Sequence, residues 1–453
     1  MSDESRTPPP SAPPRVAIVG FGYVGACLGA ALTERGVPVL GIDVDAGRVA
    51  TVNAGEAPFS EPGLAEAMAR AHDRGILEAT TDMSRVSEAE VVLLCVGTPL
   101  DRDFAPDTQQ IRAAAHELAP HLSNGQLVIL KSTAPPGTTE EILAPILREG
   151  AGRKDRELLL AFCPERLAEG SALEELRTIP VVVGGVDATS RDAARSFWEE
   201  SLGIETIAVR SARTAEMVKL ADNQWIDLNI ALANELARLS ERVGVDVLEV
   251  IAAANSLPKG QHHVNILSPS MGVGGSCLTK DPWFVHRMAL DAGLELRLPA
   301  AGRRVNDDMP LYAVDRIRQG LQASGRSLGD SRVAVLGLAF KSNTGDCRFS
   351  PTQPAIEALE RECAELTLYD PLVTPGDAGQ ISSIPLSTTI EEAVRGADCI
   401  AFFTGHDAFR HVPLERFATL APRSLIMDGR MYFSNEAIER MGELGLGFIG
   451  IGR

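Results

Sequence analysis

Residues 15 to 25, RVAIVGFGYVG, join a β-branched apolar run to Gly20, Gly22 and Gly25, spaced G-x-G-x-x-G, directly ahead of an amphipathic stretch. The pattern asks for a strand, a tight turn and a helix in succession, because glycine permits the turn and lets an anion approach the N–H groups at the helix start. Taken alone the spacing is weak evidence. The next apolar run, VPVLGIDVD, ends in Asp43, close to the roughly twenty-residue offset at which an acid accepts hydrogen bonds from a ribose. A carboxylate there repels the extra phosphate of NADP, so the expected ligand is NAD, with Arg48 as the opposing feature. Tyr23 and Val24, between the last two glycines, are expected cofactor contacts. The alternative is a turn without a ligand.

The strand–turn–helix pattern then repeats. VVLLCVGTP, LVILKST, LLLAFCPE and PVVVGG are further apolar runs separated by helical stretches, which predicts a parallel α/β sheet. From Ser211 the texture changes: residues 211–243 contain no Gly or Pro and carry apolar residues at helical spacing, predicting a long helix in a helical middle segment. Near residue 330 the first texture returns with RVAVLGLAF, ELTLYDP, DCIAFFTG and SLIMDGR. RVAVLGLA echoes RVAIVGFG, and RGADCIAFFTG echoes SEAEVVLLCVGTP. The expected architecture is therefore α/β: two Rossmann-like parallel-sheet domains, residues 15–210 and 326–453, joined by a long central helix and a helical middle domain, 211–325. The Pro-rich residues 1–14 are expected to be a disordered tail.

Composition limits the function. A net charge of -18 argues against general nucleic-acid or anionic-membrane binding, while leaving room for a local basic pocket. Seven cysteines without a CxxC pair suggest reduced thiols in a cytoplasm and no metal site. No apolar run reaches the roughly eighteen residues of a membrane span.

Three constellations carry possible chemistry. In GVGGSCLTKDPW, residues 272 to 283, Gly272, Gly274 and Gly275 permit a sharp turn ahead of Cys277, and Asp281 with Pro282 forms an N-cap and N1 pair for a following helix. A helix N-terminus and Lys280 both favour a thiolate nucleophile; the other reading is a buried core cysteine. On the long helix Lys219, Asn223 and Asp227 are spaced by four, either as its wet side or with Lys219 as a catalytic amine or carbonyl-polarising cation. In the second sheet domain, GLAFKSNTGDCRFSP replaces the glycine fingerprint with Lys341 and Arg348, which suits an anion held by side chains or a solvated loop.

In their order, GFGYVG, STAPPGTT, CPERLAEGSALEEL, EMVKLADN, GVGGSCLTKDPW and FKSNTGDCRFSP resemble the UDP-glucose/GDP-mannose dehydrogenase family from Arg15 to the C-terminus. The resemblance implies an N-terminal domain binding NAD, a helical middle forming a homodimer, and a C-terminal domain helping to hold a UDP-sugar. It implies oxidation of the sugar's 6-hydroxymethyl to a carboxylate, with Cys277 adding to the aldehyde as a thiohemiacetal that becomes a thioester. Lys219 matches the lysine that stabilises oxyanions or moves protons, Asn223 its assisting amide, Asp281 and Thr133 the residues ordering the attacking water, and Glu165 the acid of the sugar-side loop. Thr98 and Thr133 join the cofactor contacts. Arg166, Gly274, Lys341 and Arg348 join Glu165, Lys219 and Asn223 on the substrate side.

Where many members carry an Arg shortly before the glycine turn, contributed to the neighbouring subunit's sugar site, this chain has His262 and His263. Arg166, and Asp227 with Asn229, look like the branch acting on UDP-N-acetylhexosamines, whereas GGSC with Lys280 looks like the glucose branch. UDP-N-acetylmannosamine is the first expected substrate and UDP-N-acetylglucosamine the second. Competing readings are UDP-glucose oxidation, a single-oxidation dehydrogenase needing no cysteine, and a catalytically silent NAD-binding scaffold.

Overall fold

Val16–Val19 (β1) is buried along its whole length because strands flank it on both sides and helices cover both faces. Val16 and Ile18 enter one apolar cluster and Ala17 and Val19 the other, the period-2 alternation of a strand between two cores. In the computed structural model, which describes residues 13–150 and 157–453, the chain forms two units, Met1–Lys219 and Leu220–Arg453. Apart from Pro13 and Pro14, the tail expected over 1–14 lies outside the described residues.

The first unit adds Val39–Ile42 (β2), Leu77–Thr80 (β3), Val91–Leu94 (β4), Leu127–Leu130 (β5), Leu159–Phe162 (β6), Val181–Gly185 (β7) and Thr206–Ala208 (β8), in the order β3-β2-β1-β4-β5-β6-β7-β8. β1 to β6 are parallel, in the doubly wound dinucleotide-binding order. The sheet is parallel as expected except at β7, which runs antiparallel to β6. A parallel return needs a crossover helix over the sheet. Here the short helix Ala172–Thr178 packs Leu173 and Leu176 into the cluster that holds Cys27 and Leu28, beside the helix Tyr23–Glu34.

The second unit starts within the long helix, Ala212–Val243, and continues through the helix Val247–Asn255, a hairpin of Pro258–Lys259 (β9) and His262–His263 (β10), and the helices Asp281–Asp291 and Leu298–Ala323. It ends in a parallel sheet of Arg332–Leu336 (β11), Glu365–Tyr369 (β12), Cys399–Phe402 (β13), Leu425–Asp428 (β14) and Gly447–Gly450 (β15), ordered β12-β11-β13-β14-β15. One apolar cluster joins Ala233 and Ala237 of the long helix, Met309 and Ala313, and Val333 and Val335 of β11.

The first of the two sequence echoes, RVAIVGFG with RVAVLGLA, is one backbone device used twice. Gly20, at φ +88, donates its N–H to Ile42 at the end of β2, and Gly337, at φ +91, donates to Tyr369 at the end of β12, both at 2.8 Å. The next N–H then meets an acid: Phe21 donates to Asp43 at 2.8 Å and Leu338 to Asp370 at 2.7 Å. After that the units diverge. The first enters its helix at Tyr23, while the second runs through a loop to the helix Thr352–Glu362.

Candidate active site

In the first unit the three glycines have two separate physical reasons. A Cβ on Gly20 would stand 2.8 Å from the Cys95 carbonyl, and one on Gly25 only 2.3 Å from that of Gly20, so both are fixed by backbone packing. A Cβ on Gly22 would meet nothing within 4 Å. Gly22 is also the N-cap of the helix Tyr23–Glu34, and no side chain caps it. Bare backbone, an open approach and uncapped N–H donors are what a pyrophosphate needs. Val24 is partly buried beneath this turn, and Tyr23 turns its hydroxyl to Glu61 at 2.6 Å, so its contribution to the cradle is its backbone.

Asp43 is buried, and its carboxylate accepts from Phe21 N–H, from Asp45 N–H at 2.9 Å and from Arg48 Nη1 at 2.7 Å. A carboxylate has roughly four acceptor positions, so room for a ribose hydroxyl remains. Arg48, the feature that favoured NADP, has its charge balanced by Asp43 and by Asp45 at 3.5 Å, which leaves a carboxylate edge rather than a free cation for the adenine ribose. Thr98 and Thr133 are joined: the Thr98 hydroxyl donates to the Thr133 carbonyl at 2.6 Å.

The polar stripe of the long helix is buried, which removes its reading as the wet side. Lys219 Nζ lies 3.4 Å from Glu165 Oε2, with both side chains nearly enclosed. Glu165 also accepts the N–H of Leu167, and Arg166 donates to the Pro180 carbonyl at 2.5 Å, so the CPERL loop is tied to its own unit. Sequence reasoning missed Lys131. It is buried, bonds the Pro164 carbonyl at 3.2 Å and sits 4.9 Å over Trp198. It also missed Glu216, whose carboxyl is raised by burial and accepts from Gly137 N–H at 2.5 Å and Thr139 N–H at 2.8 Å, holding the PPGTT turn. The signal for Glu216 was its place three residues before Lys219 on the same face.

In the second unit the glycine-rich turn lies flush against the loop after β11. A Cβ on Gly272 would stand 2.8 Å from Pro351, one on Gly274 2.6 Å from Phe340, and one on Gly275 2.8 Å from the Phe340 ring. Gly272 and Gly275 also hold positive φ, +134 and +87. The glycines therefore serve close packing, and they bring Cys277 into the neighbourhood of the loop that carries Lys341. Arg430, which no motif announced, binds this junction: its guanidinium donates to the carbonyls of Phe403 at 2.8 Å, Gly272 at 3.2 Å and Phe340 at 3.2 Å, and burial lowers it to about 10.

Cys277 is partly exposed, and its carbonyl accepts the N–H groups of Lys280 at 3.1 Å and Asp281 at 2.9 Å. The helix begins at Asp281, with Lys280 as N-cap, one residue earlier than the expected Asp281 cap. The turn itself uses those first N–H groups, and the missing donor of Pro282 falls where a helix needs none. Asp281 is fully buried, accepting from Asn223 Nδ2 at 2.5 Å and from Lys280 Nζ at 2.6 Å. The ammonium expected to face the thiol thus lies on Asp281. Among the other cysteines, burial pushes Cys27, Cys95 and Cys347 up to about 12 and Cys163 up to about 11, which makes them packing groups.

Lys341 is partly buried, and Arg348 is exposed with its guanidinium forked onto Asp346 at 2.9 and 3.0 Å. His262 and His263 stand exposed on the hairpin. Asp227 pairs with Arg303, and Asn229 holds the backbone of Asn265 at 2.7 Å and Leu267 at 2.8 Å, so neither shows an amide or carboxylate reserved for a sugar. Among the described residues no cluster of His, Cys, Asp or Glu is arranged for a metal, and no helix is long and apolar enough to cross a membrane.

A doubly wound sheet with an open glycine turn and an acid at the end of its second strand defines a dinucleotide-dependent oxidoreductase. The chain belongs to the UDP-glucose/GDP-mannose dehydrogenase family, matching its NAD binding domain over residues 14–202, its central domain over 213–308 and its UDP binding domain over 334–435. It is an NAD-dependent nucleotide-sugar dehydrogenase. A UDP-N-acetyl-D-mannosamine dehydrogenase of Methanocaldococcus jannaschii is 33% identical over 94% of this chain and 95% of its own. The structure of a UDP-D-ManNAc dehydrogenase from Pyrococcus horikoshii matches with a TM-score of 0.85 at 32% identity, covering 97% of this chain and 99% of that one. That of a UDP-glucose dehydrogenase from Pyrobaculum islandicum matches with a TM-score of 0.86 at 28% identity, over 98% and 99%.

Proposed function

We propose that the chain oxidises the 6-hydroxymethyl of UDP-N-acetylmannosamine to a carboxylate. The observation that carries the choice of sugar is the likeness, over nearly the whole chain, to relatives named for that substrate. The backbone fold does not separate it from UDP-glucose, because a glucose-named structure matches equally well.

NAD, which the Gly20–Gly25 turn and Asp43 would hold, would accept one hydride at each of two successive bindings, the two that an alcohol must lose to become an acid. Thr98 and Thr133 complete its site. The Cys277 thiolate adds to the C6 aldehyde, forming a C–S bond that keeps the sugar attached between the two oxidations. Loss of the second hydride turns this thiohemiacetal into a thioester, which water attacks, releasing the carboxylate and returning the thiol. Lys219, charge-balanced by Glu165, stabilises the oxyanions, and Asn223 and Asp281 with Thr133 order the water. Arg166, Gly274, Lys341 and Arg348 belong to the nucleotide-sugar side. The working division is an NAD-binding part over 15–210, a helical part over 211–325 and a UDP-binding part over 326–453.

A homodimer through the long helix is part of this reading. Trp225, Leu232 and Leu239 repeat every seven residues and are 49%, 48% and 59% exposed, a stripe that a second copy would cover. In it, His262 or His263 takes the place of the cross-subunit arginine. Seven free cysteines suit a cytoplasmic enzyme.

The deciding experiment counts NADH formed per nucleotide sugar consumed, with UDP-N-acetylmannosamine, UDP-N-acetylglucosamine and UDP-glucose side by side. Two NADH and the highest kcat/KM on UDP-N-acetylmannosamine support the reading. Preference for UDP-glucose removes the sugar assignment, one NADH removes the cysteine route, and none removes catalysis.

A further inference from the structure

The backbone just after Cys277 is held by a buried guanidinium that the mechanism does not use. Arg303 Nη1 donates to the Leu278 carbonyl at 3.3 Å and to Asp227 Oδ1 at 2.7 Å, and its other terminal nitrogen bonds Asp307. Arg303 is 1% exposed and Asp227 0%. The two helices pack closely at Gly302, where a Cβ would stand 2.7 Å from the tip of the Leu228 side chain. Asn306 fixes the acid in turn, donating to its carbonyl at 2.9 Å and its Oδ1 at 2.8 Å, and Asn234 donates to Asn306 at 2.9 Å.

Asp227 sits one helical turn beyond Asn223, which holds Asp281. Consecutive turns of one helix therefore grip two points just after Cys277, Asn223 through the Asp281 carboxylate and Asp227 through Arg303 to the Leu278 carbonyl. An apolar pair of similar volume fills a core at least as well as a buried ion pair. Asp227 Oδ2 and Arg303 Nε also lie buried without a hydrogen-bond partner among the described residues, a further cost of keeping the pair. What an apolar pair cannot do is hold one carbonyl at a fixed height.

We propose that Arg303, oriented by Asp227, is a positioning residue that sets the placement of the Cys277 thiol by fixing the Leu278 carbonyl. The proposal rests on Cys277 as the nucleophile. Its test compares Arg303→Lys, which keeps the charge but loses the planar guanidinium whose Nη1 donates to both Asp227 and Leu278 and whose second terminal nitrogen bonds Asp307, and the neutral double variant Asp227→Asn with Arg303→Gln. Each is assayed for steady-state kinetics with both substrates and for the rate at which iodoacetamide alkylates Cys277, followed by peptide mass spectrometry.

The expected result is a fall in kcat of about 10- to 100-fold with KM for NAD and for the UDP-sugar within about twofold, since misplacing a reacting group costs rate rather than binding. The Cys277 alkylation rate should shift in the same variants, while that of Cys363 stays unchanged. Folded variants with wild-type kcat and Cys277 alkylation would overturn the proposal. Failure of both variants to fold would also overturn it, reducing Arg303 to a core ion-pair residue. Turnover by Cys277→Ala would instead remove the nucleophile, and the alkylation rates would still report whether Arg303 places that thiol.

Discussion

Asn223 Nδ2 lies 2.5 Å from Asp281 Oδ2, which joins the long helix to the first residue of the helix that follows the cysteine turn. Lys280 occupies the other carboxylate oxygen at 2.6 Å. Asp281 is fully buried, so each partner removed leaves an acid that water does not reach. Replacing Asn223 by Ala should destabilise the fold by about 1–3 kcal/mol, the cost of an unmet buried acceptor. Thermal unfolding of the variant measures this. Asn223→Asp should be worse, because it sets two carboxylates against each other, and an unchanged Tm in both would show that the contact contributes nothing.

At the other end of the chain, Asp43 organises the glycine turn. Its carboxylate holds Phe21 N–H and neutralises Arg48. Asp43→Asn should therefore raise KM for NAD about tenfold or more, in keeping with the ~1.5–3 kcal/mol of a lost charged hydrogen bond. It should also free Arg48 for a 2′-phosphate, so the NAD:NADP ratio of kcat/KM should fall by more than KM for NAD alone explains. Parallel titrations with the two cofactors measure the ratio. The double variant with Arg48→Ala should lose the NADP gain.

Asp370 makes the C-terminal sheet acid-sensitive. Burial raises its carboxyl, but His406, 3.1 Å away, and the backbone N–H groups of Leu338 and Leu372 more than offset this, and the net shift is downward. A carboxyl lowered in the folded state contributes stability that is fully present above its unfolded value of about 3.9 and is lost as pH falls through the lower folded value. His406→Ala removes the largest lowering partner and leaves burial in command. The acid unfolding midpoint, followed by circular dichroism, should then move to higher pH, while the wild type holds further into acid. An unmoved midpoint would mean that another carboxylate governs acid unfolding.

How much of this was legible beforehand follows the physics of each signal. Continuous apolar runs announced β1, β2, β4 to β7 and β11 to β14, because strands buried on both faces need them. β3, with the sequence LEAT and only Leu77 and Ala79 buried, has no such run, and β15, GFIG, is a glycine-flanked edge. The reversal of β7 was invisible, since direction depends on where the helix Ala172–Thr178 packs rather than on any residue in the strand. Gly22, Asp43 and Cys277 were readable because turns and fingerprints are local. Arg303, Arg430 and Lys131 were not, because each works through carbonyls far away in sequence, and any residue supplies a carbonyl.

The cysteine itself gives the most direct prediction. Cys277 is partly exposed in a glycine turn, whereas burial holds Cys27, Cys95, Cys163 and Cys347 as thiols at neutral pH. On the proposed route the Cys277→Ser variant would exchange the nucleophilic thiol for a hydroxyl whose far higher pKa leaves almost none ionised. Net acid production should be abolished. NAD affinity, measured by calorimetry, should stay within about twofold, because no Asp43 or Gly22 contact is altered. Acid formation by the variant at the wild-type rate would sink the covalent route and leave Lys219 with Asp281 to hydrate a free aldehyde. A variant that stalls after a single NADH would identify the aldehyde as the species Cys277 normally captures.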